Sequence, residues 1–540
     1  MQAPSSLGIV VRLGVTLVFL VAAVFPAIAQ DWHSAQFRSL PNVPTTSTAP
    51  VPEQAQKDVA IPAASYSTTN SYSLFDFLDS LRTQPVSSLP ERPTEPTMGQ
   101  TPDLPITPIV QSTPAPSLLP PSDGGLGLPY GRMGTTPGGE GTRSPFFGWD
   151  NGFYLRSGDQ QFILRITGQL QADFRGYTDD YAPKDVTEFL IRRARFGLEA
   201  TVFQFYEFRF LPDFGVGQVR LQDAYINVHY VDCVQFTVGK FKQPFSYEQL
   251  IQDRFTPLME RSLIDQLTPQ RDVGVMVHGQ NLFDGVLDYG LAVSNGEQNG
   301  DSDTNSSKDL NGRIAVRPFA NSDTFLKRLM FGVAAGFGVE TETMTPSTLQ
   351  TPAGVPFLQF KSTAFANGLR DRLSPEIAYF YGPFGVSAQY FLMDQKIQEK
   401  PGASPPIRVP FEGFYVHSTY LLTGETRTGY SQQIKPLQPY DPRQGLNALG
   451  AWELVGRVSR LQVGADAFAP GNTQLVTPAG NSSGATEMTL GYNWYLNSWV
   501  RVQVNYEHAW FDQPIRLGAV GPEGLHSHTD TISTRLQFVF

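Results

Sequence analysis

The chain has 540 residues, a formal net charge of −10, 41% hydrophobic residues and a single cysteine. The acidic balance argues against a nucleic-acid binder, which would display a basic face. Cys233 has no intrachain partner and lies far from any lipidation position, so neither a disulfide framework nor a lipid anchor is available. After the N-terminus no apolar run reaches the about 18 residues of a spanning helix, a limit that does not bind a barrel whose strands are only half apolar.

In chain order, Arg12, the apolar run from Leu13 to Phe25 and the small residues Ala27-Ile28-Ala29 read as an export signal over residues 1–29. Pro26 and the shortness of the run count against the alternative, an anchoring helix. Residues 30–148 are rich in Pro, Ser and Thr, as from Ser88 to Pro108, and cannot bury enough surface to offset their ordering entropy. This predicts a disordered periplasmic linker. Within it, Leu74, Phe75, Phe77, Leu78 and Leu81 share helical spacing from Ser71 to Arg82, a short docking helix or a transient one.

From Asp150 to Phe540 the texture changes to alternating segments of about ten residues, the length of a tilted membrane strand. Ala194, Phe196, Leu198, Ala200 and Val202 oppose Arg193, Arg195, Glu199 and Thr201; Ala224, Ile226, Val228 and Tyr230 oppose Asp223, Asn227 and His229. The pattern predicts an all-β, transmembrane antiparallel barrel of about sixteen strands. Their centres fall near 170, 196, 209, 225, 237, 275, 290, 313, 334, 376, 389, 416, 456, 490, 504 and 535. Asp232-Cys233, Gly382-Pro383 and Asn497-Ser498 mark tight periplasmic turns. Residues 243–270, 295–309, 341–370, 396–410 and 512–529 are the long outer loops. The connection 423–449 falls on the periplasmic side by this count and is too long for it. A soluble sandwich or propeller also alternates, but no blade-length repeat is visible.

A pore has no catalytic cluster; its chemistry is the charge at its narrowest point. Arg193 and Arg195 face the lumen about 7 Å apart, with Arg192 beside them at the strand's start, offering forked donors to phosphate or carboxylate oxygens. Pairing with Glu199, Glu207 or Asp213 is the alternative. The connection 243–270 is amphipathic and predicts a loop folded back against the inner wall, with Thr256-Pro257 opening a helix. That brings Lys240, Lys242, Arg254, Arg261 and Arg271 near the constriction, with Glu248, Asp253, Glu260 and Asp265 as partners. Lys240 shares the parity of Phe236 and Val238, so it faces lipid unless a bulge reorients it. His526 and His528 form a lone pair in the last outer loop, and the acidic loop Asp301 to Asp309 lacks the residues of a complete calcium loop. No cofactor site and no enzyme site stands out.

The chain closes on Asp530 to Phe540, where Ile532, Thr534, Leu536, Phe538 and Phe540 share one face and Arg535 and Gln537 the other. A strand ending on an aromatic residue resembles the assembly signal read by the barrel-assembly machinery, here Phe540, Phe538 and Leu536. The stretches 189–203 (FLIRRARFGLEATVF), 221–230 (LQDAYINVHY) and 238–279, followed by 413–427, 450–461 and 490–508, resemble the phosphate-selective porins, the O and P porin family. That resemblance implies a trimeric barrel in outer-membrane lipid that passes phosphate or polyphosphate past arginines and a lysine. Arg193 and Arg195 match the family's RRAR stretch and Lys240 and Lys242 its GKFK stretch. The expected function is passive diffusion of small anions. A non-selective or carbohydrate porin, or a structural anchor with a cell-wall tether, is the alternative.

Overall fold

The structure is a computed structural model that describes residues 146–149, 152–159, 161–177, 187–300, 302–303, 305–402, 405–470, 474–517 and 524–540. The expected export signal, most of the linker and the Ser71–Arg82 segment lie outside the described residues.

One sheet holds eighteen strands. A short hairpin, β1 (Phe146–Trp149) and β2 (Phe153–Arg156), precedes β3 (Phe162–Tyr177), β4 (Glu188–Val202), β5 (Tyr206–Asp213) and β6 (Arg220–Val231). Next come β7 (Val234–Lys242), β8 (Arg271–Asn281), β9 (Leu287–Ser294), β10 (Asp309–Val316) and β11 (Met330–Thr343). A separate hairpin, β12 (Thr348–Gln350) and β13 (Pro356–Gln359), leads to β14 (Phe365–Tyr381), β15 (Phe384–Gln398) and β16 (Ile407–Leu421). The last four are β17 (Ala451–Val463), β18 (Gly484–Tyr495), β19 (Val500–Arg516) and β20 (Leu525–Val539). Without β1 and β2, the strands of the large sheet form a closed antiparallel barrel of sixteen, each containing one of the expected centres.

Closure is a physical requirement, because lipid offers no partner to an unpaired backbone edge. β20 meets it by pairing with β3 from Thr531↔Tyr177 to Val539↔Gln169. Phe540 and Gly168 then exchange backbone hydrogen bonds of 2.9 and 3.0 Å. Beyond them the same edge of β3 continues onto β2, from Phe153↔Ile166 to Arg156↔Ile163. Among the described residues the sheet is first met at Phe146. The ring of Phe540 lies among Trp149 (6.1 Å) and Phe153 (6.4 Å), with Trp499 5.3 Å from Trp149.

Leu170, Phe196, Ile226, Val275, Leu291, Leu490, Leu536 and Phe538 are exposed on the outer face, while Gln171, Asp173, Thr237, Asn493, Gln503 and Arg535 are buried on the inner one. The outer loops expected at 341–370 and 512–529 are shorter than the apolar pattern indicates. β14 and β19 each run 17 residues. Their far ends carry outward polar pairs such as Arg460–Asp512 at 2.8 Å, so the ladder continues past the point where apolar alternation stops. Inside the mouth, Leu349, Val355, Phe357 and Phe360 around the β12–β13 hairpin join Phe391, Phe411 and Phe511 in one buried apolar cluster.

A side chain at 168 would run into the Phe540 ring. Gly168→Val is expected to lower the fraction of chain that reaches the heat-modifiable, folded form on gels. Adding Phe540→Ala should cost little more, because the two residues share one contact; additive losses would place the effect elsewhere.

Candidate functional site

The lumen arginines of β4 owe their arrangement to a bulge. Gln171 pairs with Arg193 but Ala172 with Ile191, so Arg192 is the extra residue in the ladder. The bulge turns Arg192 inward beside Arg193, and Arg195 follows at period two. Arg193 donates to Gln171 Oε1 at 2.8 Å. Arg195 is ion-paired with Asp213 at 2.7 Å and with Asp253. Glu199 and Glu207, the other expected partners, instead hold Arg209 at 2.9 Å and His229 at 3.2 Å.

Residues 243–270 fold into the barrel. Ser246 caps a one-turn helix, Tyr247–Leu250, by accepting from the Gln249 amide. No helix starts at Thr256-Pro257, contrary to the sequence expectation. The wall captures the backbone of this bend instead: the Pro257 carbonyl accepts from Asn493 (2.8 Å) and Gln503 (3.0 Å). Neighbouring carbonyls accept from Arg501 at Thr256 (3.0 Å), from Arg535 at Met259 (2.6 Å) and from Arg457 at Glu260 (2.8 Å). Leu263, Ile264 and Leu267 complete the anchorage within the apolar cluster.

The connection after β16 enters from the other end, the end of the tight turns, as the strand count places it. It is long because it folds inward. Tyr430 stacks on His417 at 4.8 Å and meets Phe380 edge-on at 4.9 Å, with Tyr247 of the first inserted segment 6.5 Å away. Arg427 pairs with Glu453 on β17.

Between the first inserted segment and the wall of β3 to β6 lie three adjoining spaces that share lining residues. A cavity of about 510 Å³ at the long-loop end is lined by Arg175, Arg192, Arg193, Arg195, Arg220, Arg261 and Arg271. It shares Arg195, Asp253 and Arg271 with a neck of about 30 Å³, room for one or two waters, which adds Arg209, Asp223 and Arg254. The neck shares Thr167 and Arg254 with a cavity of about 670 Å³ lined by Arg165, Glu199, Glu425 and Lys435. The first cavity and the neck together present nine arginines against six carboxylates, the latter being Glu188, Asp213, Asp223, Asp253, Glu260 and Asp265.

Burial opposes ionisation of Asp253 and Glu260, but arginines outweigh it. Arg261, Arg193 and Arg195 hold Asp253 well below the usual carboxylate range, and Arg192, Arg193, Arg535 and Arg175 do the same for Glu260. For Asp265, burial prevails and pushes the carboxyl up to about 7, with Arg261 opposing and Glu248 adding to the rise.

The residues singled out from sequence therefore divide. Arg192, Arg193, Arg195, Arg254, Arg261 and Arg271 line the passage. Arg261 pairs with Asp253 at 2.7 Å and Arg271 with Asp223 at 2.7 Å, while Arg254 lies 4.8 Å over the Phe255 ring. Lys240 and Lys242 serve the loops. Gly239, at φ +126°, breaks the alternation of β7, so Lys240 is buried and donates to the Asn299 carbonyl at 3.0 Å. Lys242 donates to the carbonyls of Gln249 (2.6 Å) and Ile251 (2.8 Å). The sequence reading passed over Arg165, Arg175 and Arg209, although all share the lumen parity of their strands. His526 and His528 lie on β20, not in a loop, and His528 stacks on His508 at 5.5 Å. Among the described residues no group of His, Cys, Asp and Glu is placed to hold a metal ion.

The family model of phosphate-selective porin O and P matches residues 164–540. Porin O of Pseudomonas aeruginosa is 24% identical over 420 residues, which cover 72% of this chain and 91% of that protein. Among solved structures, OmpT of Vibrio cholerae aligns with a TM-score of 0.43 at 11% identity, covering 70% of this chain and 98% of that one. The outer membrane channel DcaP of Acinetobacter baumannii aligns at 0.41 and 10% identity, covering 70% and 97%.

Asp265 faces the cavity at the long-loop end, and its proton balance sets part of the charge there. As pH falls through about 7 the carboxylate takes up a proton and one negative charge leaves the wall. Anion preference, read from reversal potentials in a salt gradient, should rise over that interval. Asp265→Asn should hold the low-pH value throughout; a variant that keeps the full pH dependence would assign it to another group.

Proposed function

The chain belongs to the family of phosphate-selective porins O and P, and on that premise we propose that it passes small anions by passive diffusion, with phosphate or polyphosphate the leading solute. It is an outer-membrane porin, a channel rather than an enzyme. The observation that carries the anion reading is the excess of arginines over carboxylates around the cavity at the long-loop end and the neck.

An anion arriving at the long-loop end is drawn in by that excess, which low-dielectric walls focus. At the neck only one or two waters fit, so a phosphate must shed hydration and accept guanidinium donors in exchange. Arg195, Arg209, Arg254 and Arg271 stand there to provide them. The solute then leaves past Arg254, Arg165 and Lys435. In this reading the long-loop end faces outward, and the short-turn end and the N-terminal segment face the periplasm. Three copies associate in the membrane, and the final strand, with Leu536, Phe538 and Phe540 on its outer face, is what the barrel-assembly machinery reads.

Reversal potential of the reconstituted protein in a salt gradient decides the sign of selectivity, and a cation-favouring value defeats the proposal. Arg193→Ala and Arg195→Ala should each weaken the block of chloride current by phosphate. Since each removes a charge-assisted contact, the half-blocking concentration should rise by about tenfold. An unchanged block in both would move the anion site to other arginines.

A further inference from the structure

Glu260 differs from Asp253 and Asp265 of the inserted segment in what holds it. Asp253 and Asp265 both lie within ion-pair distance of Arg261 on their own segment, at 2.7 and 3.8 Å. The ion pairs of Glu260 all reach to the barrel wall. One oxygen lies 2.9 Å from Arg175 Nη2, 2.9 Å from Arg192 Nε and 3.0 Å from Arg535 Nη2; the other lies 3.2 Å from Arg192 Nη2 and 3.6 Å from Arg193 Nη2. Four guanidinium groups from β3, β4 and β20 thus converge on one carboxylate, the arrangement that recognises an oxyanion.

The cradle is not neutral with Glu260 in it. Asp173 bonds Arg535 at 2.6 Å, and Asp253 comes within 3.7 Å of Arg193 but is shared with Arg195 and Arg261. A dianion in place of Glu260 would bring the cluster closer to balance than the monoanionic carboxylate does. The side chain can also leave while the segment stays. Its backbone is fixed by Arg457 on the Glu260 carbonyl and Arg535 on that of Met259, whereas the carboxylate itself lines the 510 Å³ cavity through which solute arrives.

We infer that Glu260 is a tethered stand-in for the transported anion, occupying the Arg175–Arg192–Arg193–Arg535 cradle until a multivalent oxyanion such as phosphate displaces it. Tethering gives the carboxylate an effective concentration of at least about millimolar. A halide, a single sphere of one charge with no pair of oxygens to engage a guanidinium fork, competes poorly against it; a tetrahedral dianion competes well. A competitor on a tether lowers the apparent affinity of every anion for the cradle by one common factor, so the segment sets a threshold that phosphate crosses and chloride does not, at a cost in affinity for both. This inference rests on the anion-channel reading.

Wild type, Glu260→Gln and Glu260→Asp, each confirmed as heat-modifiable, would be compared in planar bilayers. In Glu260→Gln the chloride conductance should rise and phosphate should half-block it at about tenfold lower concentration, equivalent to about 1.4 kcal/mol. Glu260→Asp keeps the charge but withdraws it by one methylene, and should fall between; it carries the test if Glu260→Gln does not assemble. Unchanged or weaker block by phosphate in an assembled variant overturns the inference while leaving an anion-selective wild type intact. A cation-selective wild type instead overturns the channel reading on which it rests.

Discussion

A backbone carbonyl turned into the lumen of a closed barrel and buried there from water must find its donor on the wall, because no neighbouring strand is available to it. Five side chains on consecutive strands meet this need for the bend at Thr256 to Glu260: Arg457, Asn493, Arg501, Gln503 and Arg535. They come from β17, β18, β19 and β20, one sector of the barrel. The inserted segment is consequently drawn against that sector, and open space is left along β3 to β6. The route of solute follows from where the carbonyls are satisfied.

The same residue type performs two tasks, separated by what the guanidinium meets. Arg457 and Arg535 each bond both a loop carbonyl and a wall carboxylate, Glu487 at 3.0 Å and Asp173 at 2.6 Å respectively. A buried guanidinium needs such compensation to remain charged without a large penalty. Along β3 to β6 compensation is incomplete, since arginines outnumber carboxylates, and the uncompensated charge faces the passage. Structural arginines are neutralised locally, whereas passage arginines share too few carboxylates among too many.

Period-two alternation made the barrel legible, because lipid on one side and water on the other impose opposite chemistry on successive residues. Every expected strand centre lies inside a strand. The lumen parity that picked out Arg193 and Arg195 would equally have picked out Arg175 and Arg209. What alternation cannot show is a break in itself. Arg192 reaches the lumen through a bulge that exists only in the pairing of β4 with β3, and Lys240 is turned by the backbone of Gly239. Thr256-Pro257 has the residues of a helix start, but an isolated turn of helix gains less there than carbonyls gain from Asn493, Arg501 and Gln503. That last outcome depends on partners more than two hundred positions away, beyond the reach of local pattern.

Loop length, by contrast, misleads when a connection folds inward. Short turns at one end of a barrel are short because nothing asks them to leave the rim, and the 422–450 connection is long because it carries Arg427, Tyr430 and Ile434 into the interior. Tyr430 closes toward Tyr247, so segments entering from both ends approach each other across the lumen. Barrels of this strand number ordinarily enclose a wide aqueous channel. Here insertion from both ends reduces it to a neck of about 30 Å³ beside one wall. The inserted segments thus decide how much water a solute must shed, and the strand arginines, joined by Arg254 and Arg261 of the first segment, supply the charge that compensates for shedding it.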